Sequence, residues 1–559
     1  MDRLLRVFNR EWSGLHEAAF LLAGTALLSQ MLGLVRDRLL AQNFGANTSL
    51  DVYYAAFRVP DFLYASVASF VAVTVLIPFL LEHIALEHDK EKARHFIDSI
   101  FTAFVLGMVL VCVLAFFLLP HLARFIVPGF TESAEHSFIQ LSRILLLSPF
   151  LLGISNLFGA ITQSLRRFFV FALGPVLYNI GIIIGIIFLM PTFGLVGVVY
   201  GVLIGALLHV SIQLPVLMSS RLTPRVTLHI DRHVVYRVVR LSIPRTLALS
   251  ATHLGTMVLI ALASQIEVGS IAVFMLAMNL QSIPLAIVGM SYSVAAFPTL
   301  AKLWSVGDHD AFFEQITTAT RHIIFWSFPA IMLFIVLRAQ IVRTILGSGA
   351  FDWTATRLTA AALALFAVSV IAQNLVLLYT RAFYAMGKTR ITVYANVSGA
   401  VLIVGSSFAL LYLFSHQLTF RYFAETLLRV PDILGTSILM LPLGYSVGMI
   451  ANLCFLAYSM WKRFPKFGAS VKKAFLHSFT ASVVMGFVAY HSLQVFANVV
   501  NTDLFLGIFF QGLLSGVIGI CAGIFLLRLM ENKELEEVWV SLHHKFWKAK
   551  TIAAEQEGL

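Results

Sequence analysis

The sequence predicts an all-α integral membrane protein of about fourteen transmembrane helices, set in two parallel-repeat lobes with an extra C-terminal helix pair. Three observations carry that prediction. Hydrophobic residues fill 59% of the 559 positions and charged residues only 12%, about half the ~25% typical of soluble domains. A soluble chain of this length would split into three or four domains, and so few charges cannot coat them; mean hydropathy is +0.88. Apolar runs of about 20 residues, the length that crosses a bilayer, also recur along the chain. Finally, two short patterns repeat at nearly one offset.

Taken in order, the spans fall near 17–41, 52–81, 96–119, 137–163, 168–190, 194–217, 238–264, 269–300, 316–337, 356–383, 391–414, 435–461, 474–497 and 504–528. No small-residue cleavage pattern follows the first run, which is expected to remain as an uncleaved span. Short linkers make the positive-inside rule usable. With the N-terminus inside, 28 Lys and Arg residues lie in or beside inner segments and 8 in or beside outer ones, with three more arginines inside spans. Both termini are therefore expected in the cytoplasm. Residues 1–16, with Leu4, Leu5, Phe8 and Trp12 near one face, fit an amphipathic helix on the inner leaflet, as do residues 531–550 with Leu535, Val538, Trp539, Leu542 and Phe546. A partner-binding or frayed tail is the other reading of both.

The repeat links Val75-Leu76-Ile77-Pro78-Phe79-Leu80 to Ala295-Ala296-Phe297-Pro298-Thr299-Leu300, offset 220, and Val176-Leu177-Tyr178-Asn179 to Val393-Tyr394-Ala395-Asn396, offset 217. Near-constant offsets across an even number of spans imply two lobes of one orientation, the parallel-repeat plan of alternating-access transporters. The expected organisation is an interfacial segment 1–16, an N-lobe 17–217, a cytoplasmic linker 218–237, a C-lobe 238–461, the helix pair within 462–530 and an amphipathic tail 531–559.

The excess of 39 Lys and Arg over 28 Asp and Glu suits an anionic membrane surface. Nucleic acid fits poorly, because the basic residues sit in short clusters between apolar runs. Cys112, Cys454 and Cys521 have no CxxC spacing and are expected as buried small hydrophobes. No nucleotide-binding or catalytic motif is present, and no cofactor is called for, so transport would draw on an ion gradient or the membrane potential.

Ionisable residues inside spans cost roughly 2.5–3.5 kcal/mol each on insertion scales, so each needs a partner or a watery cavity. In the first span Ser29, Gly33 and Arg36 share one helical stripe, with Gln30 and Asp37 beside it. The stripe either faces a cavity or is a snorkelling cluster at the span's end. In the second span Asp51 precedes Arg58 by seven residues and Pro60 permits a kink. An arginine beside a kink is costly for a purely structural role. Asp37 or Asp51 would pair with Arg36 or Arg58. Arg245, one turn into span 7 after Pro244, reaches either the cavity or the inner headgroups. Arg143 is expected to snorkel. His209, His253 and His491 are expected as core histidines, and Asn156, Asn179, Gln373 and Asn374 as interhelical hydrogen-bonders.

From Ser29-Gln30-Met31-Leu32-Gly33-Leu34-Val35-Arg36-Asp37 through Phe44-Gly45-Ala46 and Asp51 to Ala56-Phe57-Arg58-Val59-Pro60, the chain resembles the MurJ (MviN) family of lipid II flippases. Leu147-Ser148-Pro149-Phe150-Leu151, Tyr178-Asn179, Gln213-Leu214-Pro215 and Phe297-Pro298-Thr299-Leu300 agree as well, and the resemblance covers about residues 17–530. It implies the multidrug/oligosaccharidyl-lipid/polysaccharide exporter fold. It also implies a flippase moving the undecaprenyl-diphosphate-linked peptidoglycan precursor from inner to outer leaflet of the bacterial inner membrane. Arg36, Arg58 and Arg245, with Ser29 and Gln30, would hold the headgroup, while Asp37 and Asp51 pair charges or gate. Spans 13 and 14 would form a groove for the polyprenyl tail, and cell-wall synthesis proteins would be partners. The sequence departs from the family at Gln30, Ser69, Asn279 and Ser282, where charged residues are usual. A flippase for another polyprenyl-linked glycan, or a degenerate transporter serving as a cell-wall scaffold, are the alternatives.

Overall fold

The computed structural model describes residues 15–67, 90–165, 167–220, 222–431, 433–464, 468–501 and 504–547. These residues are helical almost throughout. In chain order the helices are α1 (Leu15–Phe44), α2 (Thr48–Ala56), α3 (Arg58–Ser66), α4 (Lys90–Ile126), α5 (Glu132–Leu145), α6 (Leu147–Ser164) and α7 (Phe168–Ile184). There follow α8 (Met190–Phe193), α9 (Leu195–Ser211), α10 (Leu214–Ser220), α11 (Arg232–Ser264), α12 (Ser270–Pro284), α13 (Ser291–Ser305), α14 (His309–Val336) and α15 (Arg338–Ile345). The last are α16 (Trp353–Ala367), α17 (Val370–Ala385), α18 (Thr389–His416), α19 (Leu418–Leu428), α20 (Met440–Trp461), α21 (Gly468–Ala497), α22 (Phe505–Leu529) and α23 (Lys533–Trp547).

Among the described residues, eleven helices or continuous helix pairs are long and apolar enough to cross a membrane. They become twelve if α16 and α17, bent by 44° at their break, count as one span. These twelve match the expected spans from 96–119 onward. The first expected span lies on α1; the second starts on α2 and α3 and then leaves the described residues, as do Pro78 of the repeat, Ser69 and the segment 1–14.

Local chemistry explains where the second span breaks. Proline has no amide hydrogen and its ring clashes with the carbonyl four residues back. Pro60 therefore breaks the helix after Ala56, at Phe57. The Ala56 carbonyl that loses its partner accepts the Ser142 hydroxyl of α5 at 3.2 Å. Asn47 caps α2, its side chain accepting the Leu50 amide. The turn before α2 needs glycine, since Gly45 has φ +67° and a Cβ there would meet the Ala350 carbonyl.

The described chain forms two compact units. One comprises residues up to Leu280, with Ile345–Ala362 and Thr389–Gly448; the other comprises Gln281–Thr344, Leu363–Lys388 and the chain from Met449 onward. In the first, α7 and α9 pack backbone to backbone, and just past the end of α7 Gly201 is so near Gly185 that a Cβ would lie 2.5 Å from its Cα. That is the small-residue contact by which helices associate in lipid. The 218–237 linker does not hang free. Its Arg225, Thr227 and Asp231 amides donate to Asp98, Thr102 and Ser99 of α4, at 2.7, 3.0 and 3.2 Å.

In the second unit α21 and α22 form a hairpin, and α23 closes over α14. Its Leu535 and Val538 pack on Phe325, Ala481 and Leu527. The stripe at Leu535 and Val538 thus covers protein, while Trp539 is 66% exposed. The reading of the cysteines is corrected. Cys454 and Cys521 are exposed and only Cys112 is partly covered, because in a bilayer the apolar surface faces lipid. His491 is likewise exposed, against Phe487.

Candidate functional site

The first unit gathers most of the predicted residues. On α1, Ser29 and Arg36 lie two turns apart and both meet Asn179 of α7. The Asn179 amide donates to the Ser29 hydroxyl at 3.1 Å, and its oxygen accepts from Arg36 Nη1 at 3.1 Å. Gly33, between them on the stripe, faces the Asn179 side chain. Arg36 also clasps Asp37, Nε and Nη2 donating to Oδ1 at 2.9 and 2.8 Å. The other Asp37 oxygen accepts from Asn279 of α12 at 3.0 Å. Asp37 is buried, while 23% of the Arg36 side chain stays exposed. A polar chain thus runs Ser29, Asn179, Arg36, Asp37, Asn279, with one positive and one negative charge. Asn279 is a position where the sequence departs from its resemblance, and the neutral amide leaves the pair balanced.

Arg58 and Asp51 are placed elsewhere. Arg58 sits at the start of α3, its Nε donating to the Tyr54 carbonyl at 3.2 Å and its Nη2 lying 3.3 Å from Asp61. Sequence reasoning missed Asp61, although its spacing of three from Arg58 is a helical pairing signal. Asp51 forms no ion pair among the described residues. Its two carboxylate oxygens accept the Gly269 and Ala272 amides, each at 2.7 Å. Those amides open α12, so Asp51 caps that helix from across the fold, where a negative charge meets the positive end of the dipole. Gln30 is half-buried beside the stripe. Arg245 lies on α11, with its side chain outside the described residues.

Beside Asp61 lies a cavity of about 300 Å³, lined by Phe57, Pro60, Asp61, Tyr64, Tyr178 and His209 among others. Its polar wall is tied together. Tyr64 exchanges hydrogen bonds with Asn156, and His209 Nδ1 meets the Ser155 hydroxyl, which also accepts from Gln213. A second cavity, of about 750 Å³, is apolar and bounded by residues of α3, α4 and α11, including Phe62, Leu118 and Met257. Arg143 lies against Phe116, its guanidinium 4.3 Å from the ring centre and its Nε donating to the Phe116 carbonyl at 3.2 Å.

Among the described residues of the second unit, the buried polar groups other than Glu534 are neutral. Gln373 donates to Gln281 at 3.0 Å and to Ser369 at 2.9 Å, and Asn374 donates to Ser327 at 2.9 Å. With Asn156 and Asn179, all four predicted amides bridge helices. Charge returns where α23 docks: Arg321 meets Glu534 at 2.6 Å and Glu537 at 3.3 Å, and His322 meets Glu537 at 2.9 Å. Burial favours the neutral form of Glu534, but the hydrogen bond from Arg321 outweighs it and holds the carboxyl below its ordinary value.

Comparison with known proteins gives a consistent picture. The family model described as lipid II flippase MurJ matches residues 40–511. A probable lipid II flippase MurJ of Rickettsia prowazekii (strain Madrid E) is 24% identical over 379 residues, covering 67% of this chain and 74% of that protein. The lipid II flippase MurJ of Burkholderia cenocepacia is 24% identical over 399 residues, covering 70% and 77%. Among solved structures, a lipid II flippase MurJ in an inward closed conformation aligns with TM-score 0.72 at 21% identity, over 92% of this chain and all of that one. An inward-facing MATE family multidrug transporter of the MOP superfamily aligns with TM-score 0.63 at 17% identity, over 81% and 99%. The fold is that of these two structures.

Proposed function

The chain belongs to the MurJ family of lipid II flippases, and from that premise we propose that it carries lipid II from the inner to the outer leaflet by alternating access. The observation that carries the reading at the level of residues is the Arg36 network, a guanidinium held inside the membrane region by Asp37 and Asn179. A diphosphate-linked sugar-peptide headgroup cannot cross hydrocarbon unaided, and a guanidinium fork binds phosphate oxygens in pairs.

In this mechanism Arg36 and Arg58 exchange their carboxylate partners for the diphosphate, and Arg245 adds a contact from the C-lobe. Ser29 and Gln30 contribute neutral hydrogen bonds. Asp51, capping α12, holds one closed arrangement and must release the two amides when the protein changes state. The polyprenyl tail stays in apolar surroundings while the headgroup moves, with spans 13 and 14 as its groove. The protein works in the bacterial inner membrane with both termini cytoplasmic, on the strength of the Lys and Arg asymmetry. An ion gradient or the membrane potential drives the cycle, and cell-wall synthesis proteins are its partners.

A second substrate has an observation in its favour. With neutral Asn279 at a position where the resemblance calls for a charged residue, Arg36 and Arg58 are each matched by one carboxylate, which suits a less anionic polyprenyl-linked glycan. Complementation of a flippase-depleted bacterium, with wild type and Arg36→Ala at matched membrane levels, tests the assignment. Rescue by wild type alone is expected. Rescue by both would remove Arg36 from the site. Failure of the inserted wild type in a host shown to accept other family members would favour the second substrate or the scaffold.

A further inference from the structure

The Arg58–Asp61 pair is unevenly exposed to water. The Arg58 side chain is 11% exposed, while that of Asp61 is 39% exposed and forms part of the wall of the 300 Å³ cavity. A proton can therefore reach the carboxylate more readily than solvent reaches the largely covered guanidinium. We propose that Asp61 is a proton-operated mask on Arg58, so that protonation of Asp61 frees Arg58 for the lipid diphosphate. The proposal rests on the reading of Arg58 as a phosphate contact.

The physical argument is one of charge balance. With Asp61 ionised, the pair sums to zero and Arg58 has no charge to offer an anion. When a proton from cavity water adds to an Asp61 oxygen, the carboxyl becomes neutral and the ion pair is lost. Arg58 keeps the Tyr54 carbonyl as acceptor but has no counter-ion, a costly state for a desolvated guanidinium. A diphosphate relieves that cost. Release runs in reverse: the lipid leaves, the proton returns to water and the pair closes. Binding and proton uptake are then one linked equilibrium, and each favours the other by the same factor.

The surroundings leave Asp61 as the carboxylate available to titrate. From its own helix it pairs with Arg58, and Tyr64 lines the same cavity. Tyr53 of α2 and Tyr178 of α7 lie within its field, as does His253 of α11. His209 of α9 lines the same cavity but is tied to Ser155, and among the described residues the lining holds no second carboxylate.

The test measures lipid II binding to the full-length protein in nanodiscs across pH 5.5–8.5. The probe carries a diphosphate diester and has no phosphate proton of its own to lose in this range. Wild type should bind more tightly as pH falls, approaching about tenfold per pH unit for one linked proton. Asp61→Asn should bind at all pH values as wild type does at low pH. A pH slope that survives in this variant, or weaker binding by it at low pH, overturns the proposal. If the variant does not fold, infrared difference spectra of wild type with and without lipid II decide. A new protonated-carboxyl band supports the mask and its absence overturns it. Arg58→Ala separates the two levels: wild-type binding by it removes the phosphate contact and the mask together. Lost binding, alongside an unchanged slope in Asp61→Asn, removes the mask alone.

Discussion

The unit that contains Arg36 holds ion pairs and a carboxylate-capped helix within its packed interior, whereas the unit that contains Gln281 joins its buried helices with neutral amides and keeps its salt bridges for the docking of α23. Both solutions satisfy polar groups away from water, but they differ in what a ligand can do to them. An amide pair such as Gln281–Gln373 offers an incoming anion little that it does not already have. An arginine held by a carboxylate can change partners, and the cost of separating the pair is recovered only when another anion arrives. Exchangeable charge therefore marks the region built to respond, and neutral amides mark the region built to hold.

The comparison is most severely tested at Asp37. Asp37→Ala leaves Arg36 without its counter-ion and Asn279 without its acceptor. Breaking a buried pair from one side costs roughly 3–5 kcal/mol, and the partial exposure of Arg36 points to the lower end. Thermal melts in detergent should show this loss, and rescue of a flippase-depleted strain should fail. Next comes Asp51→Ala, which uncaps α12. A loss of about 1–2 kcal/mol is expected, and Asp51→Asn, which keeps one acceptor, should recover part of it. Unlike Asp37→Ala, this change should leave lipid II binding measurable.

In the other unit the effects should be smaller. Replacing both Gln281 and Gln373 by leucine removes donor and acceptor together and should change stability by less than about 1 kcal/mol, against a larger loss for either substitution alone. A double-mutant cycle reads this directly, and a large additive loss would end the contrast between the units. Glu534 adds a pH-dependent test. Its carboxyl is held below the ordinary value, so its contribution is fully present above the unfolded-state pKa and is lost as pH falls through the folded-state pKa. Hydrogen exchange in α23 should be unchanged from neutral pH down to the ordinary carboxylate range and rise only in stronger acid. Glu534→Gln, which keeps an acceptor for Arg321 but removes the charge, should produce the rise at neutral pH, for about 1–2 kcal/mol.

Much of this organisation is legible in the sequence because the bilayer imposes it. Span length and apolar content locate the helices, and a helical stripe of Ser29, Gly33 and Arg36 foretells a shared neighbour. Pro60 foretells the break at Phe57. What the sequence withholds is the identity of distant partners. Nothing near Asp51 says that its carboxylate will cap a helix starting at Ser270. The apolar stripe of α23 is plain, but the pattern does not say whether lipid or Phe325 will cover it. The cysteines failed for a related reason: an apolar position in a lipid-facing helix is exposed from the protein's side. Asp61 could have been found, since an acid three residues after an arginine on a helix lies within reach of it.

The break at Phe57 has a consequence for how the chain is made. The Ala56 carbonyl finds its acceptor role filled only by Ser142, 86 residues later in the chain. At synthesis rates of about 5–20 residues per second, that is a wait of about 4–17 s. During that interval a carbonyl in the second span has neither its helical partner nor its tertiary one, and bare hydrocarbon is a poor place to leave it. The second span is therefore finished by the arrival of α5, and biogenesis of this region follows an order written into one proline and one serine.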